Sequence, residues 1–424
     1  MNILMVTPRF PYPPNRGDCI RAWGELRHLA RQHQVWLACV DHQQPTPDQL
    51  CRVRTLCADM AVAVRSPLAA LWRGGLSLLS GASIAEGYFA DAGLRRQITA
   101  WAEKVRFDVV LIFAPEMADL ARDVPARRRV LDMNDVESFK WHTYAQQARG
   151  PLRWLCAWEA RRLVAAERRW ASTHDVCLLV NERERGKLLD FTHPQCAAVV
   201  RTGVDLAALA GDGALPALAS VPRLPVIGFV GSMFYAPNVD SVNWFGKHVW
   251  PLVQQHVPAA QWLIVGNRPR PSVRRWGREP GITVTGFVED VRPYYAQMRV
   301  FICGATTEIG VQTKLIEAMA AGRPCVVSSA AAAGIDHEGS LPFLVADNPA
   351  QFAAAVVRLL KDDALADELG ARARKVATQY YDAEAQYAEV EHWLTGDEPP
   401  AAPTPSIPTD TTTRRTPELV EVGS

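Results

Sequence analysis

Short apolar runs recur along the chain, separated by longer stretches in which apolar residues return every three or four positions. In the first half the runs are residues 3–6, 35–40, 109–113, 130–131, 176–180 and 197–200. They are rich in β-branched residues and unbroken by polar ones, the pattern of strands buried on both faces of a parallel sheet. The second half repeats the plan at 226–230, 262–265, 282–284, 300–303, 325–327 and 343–345. Six strands in each half, each followed by a helical stretch, predict an α/β chain of two doubly wound βαβ domains.

The boundaries follow from the punctuation. Asn348 before Pro349 is an N-cap signal, and Phe352, Val356, Leu359 and Leu360 form the apolar stripe behind it. Tyr387, Val390, Trp393 and Leu394 mark a last amphipathic helix. Pro216, Pro222 and Pro225 stop any long helix between the halves. The expected organisation is an N-terminal domain at 1–205, a linker at 206–225 and a second domain at 226–378. A C-terminal helix at 379–394 returns to the first domain, and a tail at 395–424, without periodicity, is disordered. Ligands of such sheets bind beyond the carboxyl ends of the strands, here in a cleft between two facing domains.

Composition narrows the chemistry. Lys and Arg number 46 against 45 Asp and Glu, so no global basic charge grips nucleic acid. Nine cysteines without a Cys-x-x-Cys pair, and ten histidines without ligand spacing, argue against a metal site or a disulfide framework. No Gly-x-Gly-x-x-Gly follows the first strand and no Walker loop is present, which disfavours a nicotinamide dehydrogenase or a P-loop enzyme. The N-terminus lacks a basic region and reads as a strand rather than a signal peptide, and no run approaches the ~20 apolar residues of a membrane span. The expected location is cytoplasmic. Arg149, Arg153, Arg161, Arg162, Arg168 and Arg169, interleaved with Trp154, Trp158 and Trp170, form a basic amphipathic stretch. Such a stretch either lies on the anionic inner face of a membrane or is a solvated helix with its aromatics inward.

The densest chemistry lies at 310–324, Gly-Val-Gln-Thr-Lys-Leu-Ile-Glu-Ala-Met-Ala-Ala-Gly-Arg-Pro. Gly310 sits between a strand and a helix that Gly322 and Pro324 end. The backbone at Gly310, Val311, Gln312 and Thr313 would offer free N–H groups and the positive end of a dipole to an anion. Lys314 in the first turn opposes that dipole unless an anion offsets it, and Glu317, one turn on, is placed to accept from a vicinal diol such as a ribose. A capped helix with a surface Lys–Glu pair is the alternative. Gly17 stands in a Pro-rich loop after the first strand with Arg16, where it is either a phosphate and acceptor loop or a turn before a helix capped by Asp18. Asp135 just past the strand at 129–132 is either an acceptor-orienting carboxylate or a helix cap.

Residues 310–324 resemble the signature of the retaining glycosyltransferases of family 4, which have the GT-B fold of two Rossmann-like domains. Residues 229–240 and 284–290, the pair Trp250-Pro251, Ile264-Val265-Gly266, and the N-terminal residues 9–18 and 132–141 resemble the same set. Together they are similar to a subgroup associated with exosortase-linked exopolysaccharide systems. The resemblance implies transfer of a sugar from a nucleotide diphosphate sugar to a glycan or lipid-linked acceptor, with retention and without a metal or other cofactor. It implies Lys314 and Asp135 as catalytic residues. Glu317, residues 310–313, Gly231, Phe287 and Val288 would hold the donor. Arg16 and Gly17 would form the loop against phosphate and acceptor. Several positions depart from the family pattern: Ile309 replaces the first Glu of the motif, Ser232 an Arg, Asn238 a Lys, Thr202 an Asn, and Thr306-Thr307 stand where the subgroup often carries an Arg. The same fold also serves nucleotide-sugar epimerases and non-catalytic nucleotide-binding members.

Overall fold

The computed structural model describes residues 1–14, 17–210, 224–304 and 310–396. The first sheet has β1 (Asn2–Thr7), β2 (Gln34–Asp41), β3 (Asp59–Val64), β4 (Phe107–Phe113), β5 (Ala126–Asn134), β6 (Val176–Leu179) and β7 (Ala197–Val199). The second has β8 (Val226–Val230), β9 (Gln261–Val265), β10 (Ile282–Val284), β11 (Val300–Cys303), β12 (Cys325–Val327) and β13 (Leu344–Val345). Their orders are β3-β2-β1-β4-β5-β6-β7 and β10-β9-β8-β11-β12-β13, with every pairing parallel.

The α/β, doubly wound architecture is therefore the one the apolar pattern predicts, with one correction. The first sheet has seven strands rather than six, because β3 was not visible as an apolar run. Its sequence, Asp-Met-Ala-Val-Ala-Val, is half-buried at the sheet edge, and alanines carry much of its inner face. Each sheet buries an apolar layer on both faces, as the unbroken strand sequences require. Asn348 caps its helix as expected, accepting from the Gln351 N–H at 2.9 Å.

The expected linker is not all irregular: Leu206–Ala210 is helical, and Leu206 and Leu209 pack against the second-domain core. The rest of that stretch to 223, and the tail beyond 396, lie outside the described residues. The chain crosses between the domains a second time near Asp382, and the two crossings lie side by side. Val204 N–H donates to Tyr381 O at 2.8 Å, and Ala383 N–H to Val204 O at 3.0 Å. Beside them Arg201 pairs with Asp336 at 2.9 Å and lies over the Tyr380 ring. The final helix, Ala383–Thr395, packs on the helix Gly17–Leu29 and lends Val390 and Leu394 to one core layer of the first sheet.

Candidate functional site

In each sheet the chain order reverses at one crevice, between β1 and β4 and between β8 and β11. Loops diverge there, which opens a ligand site at the carboxyl ends. The loop after β1 leads into the helix Gly17–Leu29, and the stretch after β11 into the helix Thr313–Ala320. A methyl group on Gly17 would lie 3.9 Å from Thr313 Oγ1, so the two helix N-termini meet across the cleft. Among the described residues no side chain caps the N-terminus of Thr313–Ala320. Its first amides and the positive ends of both dipoles converge on one place, an arrangement that favours an anion.

Gly310 closes the same gap one step earlier. Its φ of +59° is the left-handed region, and a Cβ there would stand 3.0 Å from Asp135 Oδ2. Glycine is required both by the backbone and by the first-domain wall. Val311 packs against the second-domain core, and Gln312 is the N-cap residue.

Lys314 is half-buried rather than a surface lysine paired with Glu317. Its ammonium donates to Asn238 Oδ1 and to Gln312 Oε1, both at 2.7 Å, and lies 5.5 Å from the centre of the Phe229 ring. Burial lowers its pKa from the usual lysine value, opposed by Cys303 and Glu317. Asn238 is in turn buried and fixed by donating to Ser232 O at 3.0 Å. Glu317 Oε2 accepts from the Tyr295 hydroxyl at 2.8 Å, while Oε1 has no protein partner among the described residues. Burial raises the Glu317 pKa, and Tyr295 and Lys314 pull it back.

The floor of this wall is bare backbone. Gly231, Gly266 and Gly286 follow β8, β9 and β10, and their main chains are laced together: Gly231 N–H donates to Val265 O, and Gly266 N–H to Gly286 O. A Cβ on Gly266 would fall 1.7 Å from Gly231 O, so only glycine permits the approach. Next to this floor Phe287 is 73% exposed, an open ring at a strand's carboxyl end, while Val288 tucks against the core.

Asp135 forms the facing wall. Asn134 donates to its Oδ2 at 3.1 Å, and Oδ1 is buried without a hydrogen-bond partner. The helix-capping role is absent: Glu184 accepts from the Val136 N–H and Glu167 from the Ser138 N–H, both at 3.0 Å, at the start of Glu137–Gln147. Burial first, then Glu184 and Glu137, raises the Asp135 pKa to about 7. Glu116, just after β4, has one buried oxygen without a partner and is likewise raised to about 7, by burial and by Glu137. Asp18 does not precede its helix as a cap; it lies in the first turn, paired with Arg9. Arg16 lies outside the described residues.

The structure thus brings Gly17, Asp135, Gly310 and Thr313 together across the cleft, with Lys314 and Glu317 on the turns that follow. Asn238, Tyr295 and Glu116 were not foreseen as site residues. Asn238 sits within the motif at 229–240, and Glu116 follows a strand end, so both carried a positional signal. Tyr295, inside the helix Arg292–Gln297, carried none.

No curated protein matches the sequence. Anabaena HepE, solved with UDP-glucose, is 14% identical with a TM-score of 0.62 over 93% of this chain and 99% of its own. Sucrose-phosphate synthase from Thermosynechococcus elongatus is 14% identical with a TM-score of 0.66 over 93% and 98%. An E. coli structure bound with UDP-2-fluoro glucose is 14% identical with a TM-score of 0.60 over 94% and 100%. The chain has the GT-B fold these structures share, and its residues 224–362 match the family model described as glycosyl transferases group 1.

Proposed function

We infer that the chain transfers a sugar from a nucleotide diphosphate sugar to a hydroxyl acceptor, with retention, in glycan or exopolysaccharide synthesis. The observation that carries this reading is the meeting of two helix N-termini at Gly17 and Thr313, with Lys314 one residue further. A diphosphate leaving group gathers about two negative charges as the glycosidic bond breaks, and positioned amides and an ammonium are what stabilise it. Glu317, held on one oxygen by Tyr295, would take the ribose hydroxyls, and the glycine floor with Phe287 would take the base. The acceptor oxygen forms the new bond to the anomeric carbon as the bond to phosphate breaks. Its proton passes to Asp135, whose raised pKa suits a base near neutrality.

A second reading rests on the same wall. Two buried carboxyls titrating near about 7, Asp135 and Glu116, could serve an epimerase that works on the donor sugar without an acceptor. Incubation with candidate nucleotide sugars separates the two. Transfer releases free nucleoside diphosphate only when acceptor extract is present, whereas epimerisation changes the donor without it. Binding without either outcome would overturn both.

A further inference from the structure

The helix Pro67–Ser80 is built inside out. Among its described positions the buried ones are the small residues Ala70, Gly74 and Ser77, while Leu68, Leu71, Trp72 and Leu76 stand in solvent, with Trp72 74% exposed. An ordinary surface helix turns the opposite face outward. The inward face is fastened through its turn: Arg162, from the helix Pro151–Ser172, donates to Gly81 O, and Glu159 accepts from the Ile84 and Ala85 N–H groups. On that adjoining helix Leu152 and Leu155 are also exposed, and Trp154 is 79% exposed.

The charge around these side chains has one sign. Residues 65–81 and 148–158 contain Arg65, Arg73, Arg149 and Arg153 and no Asp or Glu. Arg65 is buried and spent on Asp91, and Arg73 is exposed but donates to Ala90 O at 3.0 Å and lies 3.7 Å from Asp91, whereas Arg149 and Arg153 are exposed. Farther along the stretch Arg161 is exposed, while the others are spent internally: Arg162 on Gly81, Arg168 on Phe191 O and Arg169 on Glu86. The basic amphipathic stretch read from the sequence is therefore only in part a surface, and most of the apolar face lies on a helix it did not include. No described helix is long and apolar enough to cross a membrane.

We propose that Pro67–Ser80, with the start of Pro151–Ser172, is a lipid-docking face that lies in the headgroup region of an anionic bilayer. Leu and Trp side chains enter the interface and the flanking arginines meet lipid phosphates, the pairing that makes such helices selective for anionic surfaces. Single-signed charge favours a lipid occupant over a second copy of the same face, because two copies would bring like charges together. The inference stands on this surface alone and does not depend on the transfer reaction.

The test is co-sedimentation of the full chain with extruded vesicles, of phosphatidylcholine alone or with phosphatidylglycerol at about three to one. Binding is expected to the anionic vesicles, with release at high salt. The double variant Leu71→Glu with Trp72→Glu should reduce partition at least tenfold. It should keep the wild-type melting temperature, since both side chains are exposed. A bromolipid-quenching signal from the wild type that is lost on Trp72→Phe would place that ring in the lipid. Absence of binding, equal binding to neutral vesicles, or unchanged partition by the double variant would overturn the proposal. So would a wild-type dimer in light scattering that the double variant dissolves while vesicles capture neither.

Discussion

The Lys314 ammonium donates to the side-chain oxygen of Asn238 at 2.7 Å, and Asn238 occupies the place where the broad family resemblance implies a second cation. The position has not simply lost a charge; its amide anchors the lysine that remains. Lys314→Ala should lower kcat by about 10²–10³, the scale for a positioned charge-stabilising donor. It should also destabilise the protein by about 1–3 kcal/mol, because the buried Asn238 amide oxygen loses this donor. Lys314→Arg should restore turnover only in part. Steady-state kinetics at saturating donor with thermal melts check both effects; wild-type turnover in Lys314→Ala would assign the charge to another residue.

Glu317→Gln should weaken nucleotide binding by about 1.5–3 kcal/mol, as for a hydrogen bond to a charged group. Tyr295→Phe should cost less, about 0.5–1.5 kcal/mol, since it removes only the group that orients the carboxylate. Calorimetry with the nucleoside diphosphate reads both, and a larger loss from Tyr295→Phe than from Glu317→Gln would reverse the roles.

Asp135 should show opposite signs in activity and stability. Its carboxyl titrates near ~3.9 in an unfolded chain and near about 7 in the fold. The folded state holds the proton more tightly, so the stability this group contributes is full below ~3.9 and is lost as pH rises toward about 7. Asp135→Asn should therefore melt higher than wild type above neutrality, with the gap closing toward pH ~4. The same variant should lose about 10²–10⁴ in kcat if the carboxylate is the base. A melting difference that grows on acidification would contradict the assignment.

Gly310→Ala should cost about 1–3 kcal/mol through its left-handed backbone alone. Crowding against Asp135 adds to this, and combining it with Asp135→Ser should return that part. Strict additivity of the two changes in denaturant melts would mean that the walls do not touch at this point.

Much of the fold was legible because parallel strands buried on both faces leave unbroken apolar runs. Edge strand β3 was not, since its alanines and half-exposed face dilute that signal. The second-domain half of the site was legible through Gly310, Lys314 and Glu317, whose spacing along one helix fixes their relation. What supports them was not: Asn238 reaches Lys314, and Tyr295 reaches Glu317, only through tertiary packing. The outward face of Pro67–Ser80 was hidden for a related reason. A stripe of leucines reads as core unless one knows that Ala70, Gly74 and Ser77 have taken the inward side.

The helix Ala383–Thr395 supplies Val390 and Leu394 to the first domain, and the Tyr387 hydroxyl fills the hollow at Gly24 so closely that a Cβ there would lie 1.9 Å from it. A nascent chain emerging from the ribosome therefore cannot finish its domains in the order it makes them. Strands β1 to β7 leave the tunnel first, yet their core keeps an open groove until residue 394 has followed. The second domain, whose core closes with Tyr381, is complete earlier. Vectorial synthesis usually lets the leading domain fold before the next arrives. Here the leading domain waits, with greasy surface uncovered, for the trailing one to deliver its last helix.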